Sequence, residues 1–187
     1  MAALVSATVL PSCSSAKPPD LLPTKAAASP GGAQTYSPAG LDASMMLPSS
    51  WKAVPLTEGA QFAMSSAAKP RQFMIAGRYG SFLPISLTHL EAGRIKFLQN
   101  HGAKIMSKVA GSIDGHPAAR LTYLIGAATT EVADTEYDVI IRSPLAVGAN
   151  QHQTVYSDVE IVLGTARSAA GQATPVFDWI ASTIKIQ

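Results

Sequence analysis

A chain of 187 residues, 47% hydrophobic and only 14% charged, carries ample apolar material for one domain plus a tail and lacks the composition of a disordered protein. Fourteen Lys and Arg against twelve Asp and Glu leave a net charge of +2 with no basic run, which removes the electrostatic footprint of nucleic-acid binding. The single cysteine, Cys13, excludes an internal disulfide and has no Cys or His partner at zinc-ligand spacing, and the longest apolar stretch is far shorter than the roughly 20 residues that span a bilayer.

The chain opens on the apolar run MAALVSATVL, followed by Leu10-Pro11-Ser12-Cys13. This string resembles a bacterial lipobox, in which a small residue precedes a cysteine that becomes acylated and, after cleavage, the first residue. Residues 1–12 therefore read as a signal-peptide-like segment and Cys13 as the lipidation site. Pro11 and the lack of any Lys or Arg before Cys13 depart from that pattern. A chloroplast transit peptide is the alternative, on the Ser/Ala-rich, acid-poor composition, though no arginine occurs before Arg71. Pro18, Pro19, Pro23, Pro30 and Pro38, mixed with Ala, Ser and Gly, give residues 13–42 the look of a disordered tether. The folded domain is expected over residues 43–187.

MMLPSSWKAVPL reads as a short strand, a turn through Pro48, Ser49 and Ser50, and a second extended piece carrying Trp51. QFAMSS and RQFMIAGRYG follow as strands, the second with both faces apolar and so central. SLTHLEAGRIKFLQNHG is the strongest internal helix. Thr88 and Glu91 fit a capping box, Gly102 supplies the stop, and Leu87, Leu90, Ile95, Phe97 and Leu98 form the expected core face. Two strand runs, 105–110 and 118–126, flank the turn pair Asp114-Gly115 and predict a hairpin. EYDVIIRSP gives another strand. In TVYSDVEIVLGTA, Val155, Val159, Ile161 and Leu163 alternate with Tyr156, Asp158 and Glu160, the pattern of a half-buried strand with one wet face. TPVFDWIASTIKIQ closes the chain as a helix with Thr174 as N-cap, Pro175 at the first helical position, and Val176, Phe177, Trp179, Ile180 and Ile184 on one face. The class is α+β: an antiparallel β-sheet flanked by helices.

Signals for chemistry are sparse. His89, His101, His116 and His152 show no HxH or HExxH spacing, so no metal site is expected. Residues 111–115, GSIDG, do not fit a nucleophile elbow and read as a turn, and no GxGxxG or Walker sequence supports nucleotide binding. Arg78, Arg120 and Arg142 lie on expected strands, where pairing with Asp158 and Glu160 on a solvated face is favoured over an anion site. Trp51, Phe73, Phe97, Phe177 and Trp179 read as core rather than as the wall of an apolar pocket. No catalytic, cofactor-binding or metal residue is assigned, and no cofactor is expected.

LPSSWKAVP, the helix SLTHLEAGRIKFLQ, the segment IDGHPAARLTYLIG and the closing TVYSDVEIVLGTA before a terminal helix occur in an order that resembles the PsbP-like fold superfamily, which includes LpqN/LpqT-type lipoproteins and DcrB-like envelope proteins. The resemblance covers about residues 45 to 187. It implies an α/β/α sandwich that is not an enzyme and binds a partner. The expectation is an envelope lipoprotein, lipid-anchored through Cys13 with its domain on the periplasmic or extracellular side, binding an unknown protein or a small apolar ligand and no nucleic acid. The alternatives are a PsbP-like photosystem accessory protein of the chloroplast lumen and a hydrolase whose Ser, His and Asp come together from distant positions.

Overall fold

The computed structural model describes residues 17–23, 31–56, 60–67, 69–127, 130–148 and 151–187, and of 144–148, 151 and 152 the backbone only. Cys13, the apolar run before it and the ring of His152 lie outside the described residues. The elements run β1 (Ala33–Tyr36), β2 (Ala43–Pro48), β3 (Lys52–Ala53), β4 (Phe62–Ser65), β5 (Gln72–Ser81), α1 (Leu87–Asn100), β6 (Lys104–Ile113), β7 (His116–Ile125), β8 (Val132–Gly148), β9 (Gln151–Ala166), α2 (Ala170–Ser182) and β10 (Lys185–Ile186). A seven-stranded antiparallel sheet has the order β3-β4-β5-β9-β8-β7-β6, and a small sheet has the order β1-β2-β10. The α+β class is the one the sequence predicts, and β5 is internal to the sheet as its two apolar faces require.

Side-chain alternation assigns the layers. Tyr137, Val139 and Ile141 on β8 stand opposite Ile161, Val159 and Ser157 on β9, and with Met74 and Ala76 of β5 they form the floor of the main core. Ala173, Phe177, Ile180, Ala181 and Ile184, spaced three or four apart, press α2 and its exit onto that floor, together with Met45 and Leu47 of β2 and the ring of Trp51. The opposite face of the sheet is covered by α1, which packs Leu98 against Ala103, Leu121 and Tyr123 in a smaller cluster. Asp114 and Gly115, at φ +48° and +81°, form the tight turn between β6 and β7, a conformation in which two successive positive φ angles suit Asp-Gly.

Three expectations are corrected. The tether over residues 13–42 does not hold for its described parts. Leu21 (4% exposed) and Leu41 (fully buried) belong to the main core, β1 pairs with β2, and residues 19–21 lie along the edge strand β6 through Leu21 N–H to Ser112 O (3.0 Å) and Ser112 N–H to Pro19 O (2.9 Å). Apolar residues widely spaced among prolines have no period to betray them, yet each fills a place in a core built by other strands. The N-cap of α1 is Ser86, whose Oγ accepts from the N–H of His89 at 3.2 Å, so Thr88 and Glu91 form no capping box. The last helix starts at Ala170, straight from a 3₁₀ turn over Arg167–Ala169, and Pro175 lies inside it. Thr174 Oγ1 donates back to the carbonyl of Ala170 at 2.8 Å instead of capping. Starting a turn earlier brings Ala173 into the core, while Pro175 withholds a single N–H from the carbonyl of exposed Gly171.

Candidate functional site in the ionic layer beneath the first helix

By strand alternation Asp134, Glu136 and Asp138 of β8 and Asp158 and Glu160 of β9 lie on the sheet face that α1 covers. Asp138 stands directly opposite Glu160, while Tyr123 of β7 stands opposite Asp134 and Tyr79 of β5 opposite Asp158. Alternation predicts a wet face, but α1 lies across it. Glu136 is fully buried and Asp138 is 1% exposed.

The inner face of α1 answers with charge as well as with leucines. Arg94 grips Glu136 with two hydrogen bonds, Nε to Oε1 at 2.6 Å and Nη2 to Oε2 at 2.8 Å, and Nη2 also reaches Glu160 Oε1 at 2.9 Å. Tyr123 donates its hydroxyl to Glu136 Oε2 at 2.9 Å, so Glu136 accepts from both sides. One turn earlier, the buried Glu91 meets Lys108 Nζ at 3.2 Å, and one turn later the Arg94 guanidinium lies 5.3 Å from the centre of the Phe97 ring. Bidentate, charge-assisted geometry of this kind is how arginine satisfies a carboxylate removed from water.

One guanidinium does not neutralise the layer. Burial, followed by the charge of Glu136, lifts the Asp134 carboxyl to about 7, the Asp158 carboxyl to about 6 and the Glu160 carboxyl to about 7, with Arg94 opposing each rise. Asp138 is pushed well above the ordinary aspartate value by burial and by Glu136, Asp158 and Glu160. Burial works against the charge of Arg94, but its bonds to Glu136 and the field of Glu160 outweigh that and raise its pKa. The Tyr123 phenol is raised by burial and then by Glu136 and Asp134. Among the described residues, Asp134 Oδ1, Asp138 Oδ2 and Asp158 Oδ1 are buried and accept no hydrogen bond from the protein.

Beside this layer a cavity of about 450 Å³ opens between α1 and the sheet, within the size range of small-ligand sites. Phe73, Ile75, Phe97 and Val162 form its apolar wall; Arg94, Asp134 and Glu160 form the charged one, with Tyr79 and Tyr123 between. A larger depression of about 650 Å³ lies by Arg71, Glu131 and Arg167, but its Arg167–Glu131 ion pair is at the surface and already made.

The residues singled out from sequence fall in several places. Arg78 bonds Asp42 (3.0 Å) and Ser157 Oγ (3.1 Å), Arg120 lies beside the Tyr137 phenol, and Arg142 stacks 5.5 Å from the Tyr156 ring centre. They do not share one face, and the partner of Glu160 is the helical Arg94, which no strand pattern points to. Trp51, Phe177 and Trp179 are core as expected; Phe73 lines the cavity, and Phe97 is half exposed rather than part of the core. A hydrolase triad needs a histidine ring bonded to a serine or aspartate. Among the described residues no such bond occurs, and His101 Nδ1 sits 2.8 Å from the carbonyl oxygen of Phe97.

No protein-family profile matches the chain, and no curated protein matches it. Among solved structures it is similar to LpqN, a protein involved in cell envelope biogenesis of Mycobacterium tuberculosis, at 14% identity and a TM-score of 0.56, over 86% of this chain and 87% of that one. It is also similar to the cyanobacterial PsbP (CyanoP) of Synechocystis sp. PCC 6803, at 16% identity and a TM-score of 0.57, over 89% of this chain and 99% of that one. At such identities the likeness is one of architecture, and with the sheet order and the two helical layers it establishes that this chain has a PsbP-like fold.

Proposed function

We propose that this is an envelope lipoprotein, anchored through acylated Cys13, whose PsbP-like domain binds a small ligand with an apolar body and a polar end rather than catalysing a reaction. The observation that carries the binding reading is the cavity beneath α1, with an aromatic and aliphatic wall facing a charged one. The Leu10-Pro11-Ser12-Cys13 string and the likeness to an envelope-biogenesis protein support the location. Acyl chains would hold the protein by roughly 0.8 kcal/mol per buried CH2, and two or more chains make that anchorage stable.

Two measurements test the two halves separately. Cells fed an alkyne fatty acid should label the wild-type protein and not Cys13→Ala; label that survives the substitution, or no label in wild type, removes the anchor. For the domain, Nile red should brighten saturably on binding wild type and not on binding Val162→Trp, which fills the apolar wall. Equal response from both proteins, or none from wild type, removes the cavity as the binding site.

A further inference from the structure

We propose that the carboxylates of Glu136, Asp138 and Glu160 form a binding site for a hard divalent cation, such as Ca²⁺ or Mn²⁺, at the floor of the α1 cleft. One oxygen from each lies within 4.8 Å of the other two, the spacing of oxygens that surround one small cation at bond lengths of about 2.1–2.6 Å. A donor set made only of carboxylates selects hard cations over zinc or copper.

The second observation concerns Asp138 itself. Its side chain is 1% exposed and turned into this cluster, and Oδ2 accepts no hydrogen bond from the protein. A buried carboxylate left in that state is strongly disfavoured unless a cation or a proton compensates it. The guanidinium does not relieve it: Arg94 spends its bonds on both oxygens of Glu136 and on one of Glu160. Asp158, diagonal to Asp138 across the β8–β9 ladder, adds another buried oxygen without a partner at the margin of the cluster. On the neighbouring strands Ala119 of β7 stands opposite Asp138 and Gly77 of β5 opposite Glu160, with the Tyr79 phenol lying over Gly77. Glu160 lines the cavity beside the cluster, so the site has a route to solvent.

The rival way to settle Asp138 is a proton, and the experiment separates the two. The purified full chain, stripped with chelator, is melted at pH 7.5 with increasing Ca²⁺ or Mn²⁺. Wild type should gain about 3–10 °C in Tm on saturation, as expected for a site filled ten- to a hundred-fold above its Kd in a domain of this size. Asp138→Asn, which keeps the shape but removes the charge, should show no gain with either ion, while Asp114→Asn in the β6–β7 turn should respond as wild type does. As a readout on the wild-type protein alone, bound Tb³⁺ should luminesce on excitation of the adjacent Tyr123, and Ca²⁺ should compete it away. No saturable shift and no tyrosine-sensitised Tb³⁺ signal would assign the cluster to shared protons and overturn the site; a shift retained in Asp138→Asn would place the ion elsewhere and overturn it too.

Discussion

Glu136 is the residue on which the α1 layer turns. Its carboxylate is fully buried and accepts hydrogen bonds from Arg94 and Tyr123. Arg94→Met should therefore destabilise the domain by about 3–5 kcal/mol, because it leaves a buried charge without its partner rather than because the pair adds that much net stability. The double variant Arg94→Met/Glu136→Leu should recover most of the loss in urea denaturation; a double variant as unstable as the single one would contradict this account. The neighbouring acids set a pH dependence. An acid with a higher pKa in the folded chain binds more protons there than when unfolded, so stability falls as pH rises between the two values. For Asp134 and Glu160 that window runs from their ordinary 3.8 and 4.5 up to about 7, and for Asp158 from 3.8 to about 6. In cation-free buffer the urea midpoint should thus be higher at pH 5 than at pH 7. The opposite order would mean that these carboxyls are ionised in the native state without penalty.

Among the elements, α1 shows how a buried ionic face escapes a hydrophobic reading. Its sheet-facing stripe runs Leu87, Leu90, Glu91, Arg94, Ile95, Leu98, a helical spacing in which two members are charged. Counting only apolar residues splits that stripe and draws in Phe97, which is half exposed. The same equation of polar with wet turned the Asp158 and Glu160 side of β9 outward, when a helix carrying arginine covers it. The alternation itself, the Asp114-Gly115 hairpin and the α2 face from Phe177 to Ile184 were legible, because there apolar and buried coincide. Losing the Ser86 cap through Ser86→Ala should cost about 1 kcal/mol. At the sheet edge, a Cβ on Gly111 would lie 2.2 Å from the carbonyl oxygen of Pro19 and 2.8 Å from Leu21 Cδ2. Gly111→Ala should therefore lift residues 19–21 off β6 and speed amide hydrogen exchange at Leu21 and Ser112, whose N–H groups make the edge pairing; unchanged exchange rates on native protein would show that the edge tolerates the methyl.

At the scale of the molecule, the stretch between Cys13 and β2 is both connection and core. Leu21 and Leu41 are buried among Met45, Ile113 and the α2 residues, and β1 covers one edge of β2 while β10 covers the other. Burying a leucine is worth about 1.5–3 kcal/mol, and whole domains of this size are stable by only 5–15 kcal/mol or so. A chain beginning at residue 43, the boundary that the proline-rich composition suggests, thus gives up a large fraction of the total and exposes the edge of β2. A chain beginning at residue 17 keeps all of these contacts. The shorter chain should melt at least about 10 °C lower or fail to fold, whereas the longer one should match the full chain. Equal melting temperatures for the two would mean that Leu21, Leu41 and β1 rest on the domain without holding it. The same contacts bound the reach of any anchor on Cys13: with residues 19–21 pinned to β6, only six residue steps separate Cys13 from Pro19, a span of at most about 22 Å at full extension. On the proposed acylation of Cys13, the fold would therefore stand against the membrane at the β6 edge instead of ranging over the length of a thirty-residue tail.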